Sequence, residues 1–283
     1  MSRVAILIAC YNRASMTLSV LEMLKQASAC APGHEIKVFL LDDGSTDGTG
    51  DLVREKYQNV KIIQGTGSLF WNRGMCAAYT AAASSSSEWD SYALMNDDLV
   101  TTPEMFLEIL EAHLRENRVR PSIMVGSIES PEGELLYGGY FRLSWFSPLN
   151  IKRAQPNPTA LTNVDTMNGN LVFVPGAIMN QLGGLNPVYH HAYGDIDLGY
   201  RARKIGCDIL LYFKVVGATS KNKDIRNILL PLSIASRIKY LFGYPRGIYQ
   251  YCSFVFDHGC KILLPLYLVN TILNRIKMSI WLS

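Results

Sequence analysis

The chain has 283 residues, 48% of them hydrophobic and 18% charged, with 27 Lys and Arg against 24 Asp and Glu. That composition excludes a disordered chain, and the length suits one large α/β domain with a substantial core, alone or with an appendage. The net charge of +3 hides an asymmetry: residues 1–200 hold 14 basic and 21 acidic side chains, whereas residues 201–283 hold 13 and 3.

Residues 4–9 form a continuous β-rich run. The run is short and leads into Tyr11-Asn12-Arg13, not a small-residue cleavage site, so it reads as a buried first strand and not a signal peptide. Residues 15–27 read as a helix, with Leu18, Leu21 and Leu24 at helical spacing. A second strand over 36–41 runs into the turn Asp42-Asp43-Gly44-Ser45. A short helix over 49–57, a strand over 60–63 and an Ala-rich helix over 74–83 follow, then a serine surface loop over 84–87. The fourth strand, 91–95, ends on Asn96-Asp97-Asp98. Thr101 and Glu104 fit a capping box for the next helix, with Pro103 in its first turn. Strands alternating with helices predict right-handed crossovers and a parallel sheet, with ligands beyond the carboxyl ends of its strands.

After about Pro121 the pattern changes to strands over 123–128, 135–143 and 171–175 with few helices between them, as in a mixed sheet. Residues 195–205 read as a helix stopped by Gly206, and 208–213 as the last strand. Helical segments rich in Ile, Leu, Tyr and Arg follow from Lys221. The nearest approach to a membrane span, residues 262–273, is interrupted by Pro265 and Asn270 and falls short of the ~20 apolar residues a spanning helix needs. Cys10, Cys30, Cys76, Cys207, Cys252 and Cys260 form no CxxC pair, which suits a reducing, cytoplasmic compartment.

Three acidic clusters carry the chemistry. Asp42, Asp43 and Asp47 follow the second strand, Asp97 and Asp98 follow the fourth, and Asp195 and Asp197 open a helix that carries Arg201 and Arg203. One such cluster is an ordinary solvated turn. Carboxylates at several strand ends of one sheet suit a hard cation completed by phosphate oxygens.

In these segments the chain resembles the family 2 glycosyltransferases of the GT-A fold, over roughly residues 3–220. The carriers are the opening strand with its Tyr-Asn-Arg turn, the Asp-Asp-Gly-Ser-x-Asp-x-Thr segment over 42–49 and the stretch over 67–75 before the Ala-rich helix. The DxD-like region over 94–100 and the segments Asn168-Gly169-Asn170 and His191-x-x-x-Asp195-x-Asp197-x-x-x-Arg201 complete them. The resemblance implies a Rossmann-like, mostly parallel sheet with a mixed acceptor-side half in residues 1–217, and a helical extension over 218–283. It implies transfer of a sugar from a nucleotide-sugar to a glycan acceptor, lipid-linked in bacterial surface-polysaccharide synthesis. Tyr11 would lie by the nucleobase, Asp42 or Asp43 on base or ribose, and Asp97 near the ribose. Trp71, Arg73, Asn168 and Gly169 would also face the donor, with Arg73 either on the diphosphate or a solvated helix-start residue. Asp98 would bind Mg²⁺ or Mn²⁺. Asp195 would be the general base of an inverting displacement. His191, Asp197 and Arg201 would meet the acceptor, although Asp197 and Arg201, spaced i, i+4, also suit a pair along one helix face.

Three positions depart from the family pattern: Asn96 replaces the first DxD acid, Asn72-Arg73 stand where two glycines are common, and Gly194 stands where Glu is common. No histidine follows the last strand as a further metal ligand; His258 would have to substitute from the tail or be a helix-end histidine. A sugar-1-phosphate nucleotidyltransferase would want an early Gly-rich phosphate loop, and residues 9–14 lack glycine. A non-catalytic glycan- or nucleotide-binding module would not need Asp98 and Asp195 together.

In the tail, Arg226, Arg237, Lys239, Arg246, Lys261, Arg275 and Lys277 are interleaved with Tyr240, Phe242, Tyr244, Tyr249, Tyr251, Phe254 and Trp281. The tail is too apolar for a nucleic-acid arm. Two readings stand: peripheral contact with an anionic membrane on its inner face, or packing and oligomer contact.

Overall fold

The computed structural model describes residues 1–86, 88–221, 225–243 and 247–280; Ser87, Tyr244, Arg246 and Trp281 from the readings above lie outside them. The first half alternates as expected: β1 (Ser2–Cys10), α1 (Ala14–Cys30), β2 (His34–Asp42), α2 (Thr49–Lys56), β3 (Lys61–Gln64), α3 (Phe70–Ser85), β4 (Ser91–Met95) and α4 (Pro103–Asn117). The second half holds β5 (Ser122–Glu129), β6 (Leu135–Tyr137), β7 (Gly139–Arg142), β8 (Ile151–Arg153), β9 (Thr162–Asn163), β10 (Thr166–Met167) and β11 (Leu171–Pro175). After these come α5 (Gly176–Leu182), α6 (Gly194–Lys204) and β12 (Asp208–Ala218). The tail forms α7 (Ile225–Leu229), α8 (Ile234–Phe242), α9 (Ile248–His258) and α10 (Leu264–Ile280).

The main sheet runs β3-β2-β1-β4-β11-β5-β12-β9, with β6 on β5; β10, β7 and β8 form a small second sheet. β3, β2, β1 and β4 are parallel, β11 is antiparallel to both β4 and β5, and β12 is parallel to β5. This is the expected mostly parallel sheet with a mixed second half. Both faces of its centre are covered, which is why residues 4–8 of β1 could be continuously apolar: none is more than 1% exposed. One core layer packs α1, α2 and α4 on the sheet, and the other packs α3, α5 and α6. From β1 the chain builds outward to β2 and β3, then returns through α3 to β4 on the other side. The strand order therefore reverses between β1 and β4, and their carboxyl ends flank a crevice suited to a ligand.

Several local expectations change. Thr102, not Thr101, caps α4 by accepting from the Met105 N–H, while the Thr101 hydroxyl donates to the Val216 carbonyl. Helix α3 starts at Phe70, four residues before Gly74, so the Trp71-Asn72-Arg73 segment is helical. Ser84 and Ser85 close that helix and are not loop. The strand read over 135–143 breaks at Gly138, whose φ of +157° turns the chain between β6 and β7. β12 continues past Phe213 to Ala218 because it pairs with β5 through two register shifts.

The extension beyond residue 217 is not uniform. Phe254 on α9 is fully buried among Tyr189, Tyr193 and Tyr200, and Lys204 Nζ donates to the Asp257 carbonyl at 2.8 Å. α9 is thus packed into the α/β domain, whereas α10 lies on α8 and α9. No helix among the described residues is long and apolar enough to cross a membrane.

Candidate active site

Parallel pairing of β1 with β2 sets Cys10 opposite Asp42, so the turns that follow the two strands lie side by side. They are laced together. Asn12 N donates to Ser45 Oγ, and the Asn12 amide oxygen accepts from the Thr46 N–H at 2.7 Å. Asp47 accepts from the Thr49 hydroxyl and from the N–H groups of Ala14 and Thr49, holding the starts of α1 and α2, and these hydrogen bonds, the hydroxyl's above all, keep its carboxyl below the usual range. Asn12 adopts a φ of 51° to reach these contacts, a conformation that Asn tolerates better than most residues.

The crevice beyond β1 and β4 is a cleft of about 530 Å³, lined by Tyr11, Arg13, Asp43, Phe70, Trp71 and Asn96, by Asp97, Asp98, Tyr137 and Asn170, and by His191, Thr219 and Ile228, over a floor of Ala9 and Cys10. Arg13 Nη1 lies 3.0 Å from Asp97 Oδ1 and 2.8 Å from Asp98 Oδ2. Burial pushes the Asp97 carboxyl up to about 6; the Arg13 guanidinium opposes that rise and the neighbouring Asp98 adds to it. Burial, then Asp42 and Asp97, raise the Cys10 thiol as well, so it stays a neutral floor residue and not a nucleophile. Four buried polar atoms in this one cleft have no hydrogen-bond partner: Asp97 Oδ2, Asp98 Oδ1, Asn170 Nδ2 and Thr219 Oγ1. Unsatisfied buried groups are rare, and such a concentration marks a surface shaped for a polar ligand.

Asp43 builds the opposite wall. Its carboxylate accepts from the N–H groups of Gly67, Leu69 and Phe70, all at 2.9 Å. Phe70 is forced to a φ of 55°, a strained value for an aromatic residue, and its ring meets His191 edge-on across 6.4 Å. Trp71 follows, and its indole N–H donates to Asn96 Oδ1 at 2.8 Å. Asn96, in place of the first acid of a DxD motif, therefore anchors the indole from the β4 end.

Asp195 is not among the residues that line the cleft; it lies behind Gly169, which packs on the Trp71 ring. Its Oδ2 accepts from Gly169 N at 3.1 Å and Asn168 Nδ2 at 3.3 Å, and its Oδ1 accepts from Ile196 N at 2.9 Å. Burial raises its carboxyl against the pull of these hydrogen bonds, which makes it a stronger base than an exposed aspartate. Gly169 has no room for a side chain, since an added Cβ would meet the Trp71 ring at 2.6 Å. Asn168 and Gly169 thus orient Asp195 and Trp71; their neighbour Asn170 lines the cleft.

Other expected residues are elsewhere. Asp42 is 2% exposed, accepts from Ser45 N and is not among the lining residues, so it holds its own turn together. Arg73 donates from Nε to the Pro187 carbonyl at 3.0 Å, outside the cleft. Asp197, expected at the acceptor, is 1% exposed, with one oxygen 2.7 Å from Arg201 Nε and the other 2.7 Å from His258 Nε2. Arg201 also donates to the carbonyls of Leu182 and Gly184. Asp197 and Arg201 are therefore a buried brace and not an acceptor contact, and His258 completes that brace instead of supplying a metal ligand. Tyr11, Trp71, His191, Asp43, Asp97 and Asp98 do come together. Arg13, Asn170, Tyr137 and Thr219 join them; Arg13 and Asn170 had a signal, as members of the Tyr-Asn-Arg turn and the Asn168-Gly169-Asn170 segment, and Tyr137 and Thr219 had none.

Among the described residues no group of three or more His, Cys, Asp or Glu could hold a metal. The donor set for one is the pair Asp97 and Asp98, whose two orphaned oxygens fit a hard divalent cation that takes its remaining oxygens from a diphosphate and water.

Comparison with known proteins bears on the family and the fold. The glycosyl transferase family 2 model matches residues 5–172. The chain is 25% identical over 210 residues to an N-acetylglucosaminyl-diphospho-decaprenol L-rhamnosyltransferase of Mycobacterium tuberculosis, across 66% of this chain and 67% of that protein. Among solved structures it is similar to S. aureus TarS in complex with UDP-GlcNAc, with a TM-score of 0.57 at 14% identity, covering 99% of this chain and 82% of that one. It is also similar to the mannosyltransferase PcManGT from Pyrobaculum calidifontis in complex with GDP-Man and Mn²⁺, with a TM-score of 0.57 at 14% identity over 98% and 72% of the two chains. With a family match across more than half its length and a mostly parallel sheet with an acid-lined cleft at its switch point, the chain belongs to glycosyl transferase family 2 and is a glycosyltransferase.

Proposed function

We propose that this enzyme moves a sugar from a nucleotide-sugar donor to a hydroxyl of a lipid-linked glycan in bacterial surface-polysaccharide synthesis, with inversion at the anomeric carbon. The observation that carries the donor half is the set of orphaned polar atoms at the β1–β4 switch point. Tyr11, 53% exposed at the cleft mouth, offers a ring for the base to stack on. Asp98, with Asp97, would hold Mg²⁺ or Mn²⁺, which would stabilise charge on a departing diphosphate. Asp195 takes the proton of the acceptor hydroxyl as its oxygen bonds to the anomeric carbon and the bond to the diphosphate oxygen breaks. Gly169 and Asn168 keep that carboxylate aimed. His191 stands where the acceptor would approach, beside Phe70. The M. tuberculosis relative's decaprenol-linked acceptor supports the lipid-linked class, and the complexes of the two structural neighbours support a nucleotide-sugar and a divalent cation.

The test is a panel of nucleotide-sugars screened for hydrolysis with and without Mn²⁺, on the full chain and on Asp98→Ala. Metal-dependent turnover of one donor, lost in Asp98→Ala, is expected. Failure of every donor to bind or turn over would overturn the reading.

The tail supports peripheral contact with an anionic bilayer, where such an acceptor resides. Ile262, Leu266, Val269, Leu273, Ile276 and Ile280 form a stripe along α10 and the turn before it, each at least 41% exposed. Among the described residues from 225 to 280 there are six Lys or Arg and one acid, Asp257, which suits anionic lipid better than a second, equally basic copy. Co-sedimentation with phosphatidylglycerol vesicles, lost in Leu266→Glu/Leu273→Glu, checks this; a dimer broken by the same pair, without vesicle binding, would contradict it.

A further inference from the structure

The contact between Arg13 and the acid pair has a consequence for how a donor enters. Asp97 is 4% exposed and the Asp98 side chain 15%, whereas the Arg13 side chain is 44% exposed. The two acids are fixed at the end of β4, where Asn96 N donates to the Asn170 carbonyl at 3.0 Å. Arg13 is held at the start of α1 only by its backbone, and its side chain reaches the acids from the solvent side. One guanidinium against two carboxylates leaves a net charge of −1, and one oxygen of each carboxylate stays buried without a partner. A divalent cation on these same carboxylates would face the guanidinium at short range, in a partly desolvated site where like charges repel strongly. The two cations therefore contend for one pair of acids. Of the groups involved, the guanidinium is the one with an open path to solvent.

We propose that Arg13 is a resident counter-cation of the Asp97–Asp98 pair, exchanged for the donor's divalent cation as metal and nucleotide enter together, and then paired with the donor's diphosphate. The proposal rests on the reading of Asp97 and Asp98 as the metal-holding pair. It makes free metal a poor ligand for the resting enzyme, because the ion must displace the guanidinium unaided. The metal–nucleotide complex is a better ligand, since its diphosphate gives the displaced guanidinium a bidentate partner.

Calorimetry with Mn²⁺ alone, and then with Mn²⁺ and UDP or dTDP, tests this on the full chain and on Arg13→Met, Arg13→Gln and Arg13→Lys. Arg13→Met is expected to bind Mn²⁺ alone about tenfold more tightly than the wild type and to bind the metal–nucleotide complex more weakly. Arg13→Lys should keep the wild-type weakness toward Mn²⁺ alone, and Arg13→Gln serves if the Met variant does not fold. Mn²⁺ binding that is unchanged or weakened by loss of the charge would overturn the exchange while leaving the metal site standing. No Mn²⁺ binding by any of the proteins, with or without nucleotide, would instead remove the metal site and the exchange with it.

Discussion

Asn72 and Gly194 are shaped to each other: a Cβ added at Gly194 would fall 1.6 Å from the Asn72 side-chain oxygen. Asn72 is fully buried on α3 and donates from Nδ2 to the carbonyls of Asn186 and Tyr189 at 2.8 and 2.7 Å. Asn72 and Gly194, two of the positions read from the sequence as departures from the pattern it resembles, therefore share one volume that ties α3 to the start of α6. Because Asp195 follows Gly194 in the first turn of α6, this pair helps set the height of the proposed base.

Gly194→Ala should lower stability by about 1–3 kcal/mol through overpacking. Asn72→Gly is itself costly, since it strands the carbonyls of Asn186 and Tyr189, but Asn72→Gly/Gly194→Ala should lose less than the sum of the two single losses. Thermal melts of the two single variants and the double variant form the cycle. Additive losses would show that the residues are not coupled.

Asp195→Asn should retain nucleotide binding and lower transfer by about 10²–10⁴-fold. Burial raises this carboxyl, so the acid limb of the kcat/KM profile should lie above the ordinary aspartate value of about 4. A profile whose acid limb sits at or below that value, or full transfer by the Asn variant, would remove Asp195 as the base.

His113 sits fully buried on α4, its Nε2 2.8 Å from Ser91 Oγ and its ring stacked on Phe173. Burial pushes its pKa from 6.5 down to about 3. Above pH 6.5 it is neutral in both states and its burial costs nothing in protonation. As pH falls below that value the unfolded chain takes up a proton that the folded one refuses, so stability drops toward pH 3. At about pH 4.5 the loss amounts to roughly 3 kcal/mol. Urea titrations from pH 7 to 4.5 should show a steeper decline for the wild type than for His113→Gln; parallel curves would contradict a neutral buried histidine.

His258→Leu should cost about 3 kcal/mol, because it leaves the buried Asp197 carboxylate with only Arg201. The loss is read as a lower denaturation midpoint. Protease cleavage within α9 should rise in parallel, since His258, with Phe254 and the Lys204–Asp257 contact, fastens that helix to α6. For the same reason, removal of everything after Gly217 would disrupt the catalytic domain as well as the tail.

Much of the site was legible because its residues are consecutive. The Asp-Asp-Gly-Ser turn, the Asn96-Asp97-Asp98 edge and the helix opening at Asp195 each follow a recognisable element, and alternating strands and helices bring their ends to one side of a sheet. The outcome at Asp97 and Asp98 contrasts with that at Asp42 and Asp197, although all four are acids at element ends. Asp42 and Asp197 are consumed by Ser45, Arg201 and His258, and His258 lies 61 residues from its partner. Spacing along the chain carries no trace of such a contact.

By itself the sequence determined the βαβ order, the strands that could be buried on both faces and the acids available at the sheet's carboxyl edge, because periodicity and turn chemistry are local. Only the tertiary structure decided which acids face the cleft. It also decided that Arg13 bridges two of them, that Asn72 and Gly194 share one volume, and that α9 belongs to the core. Those outcomes depend on burial and on partners brought together across long stretches of chain.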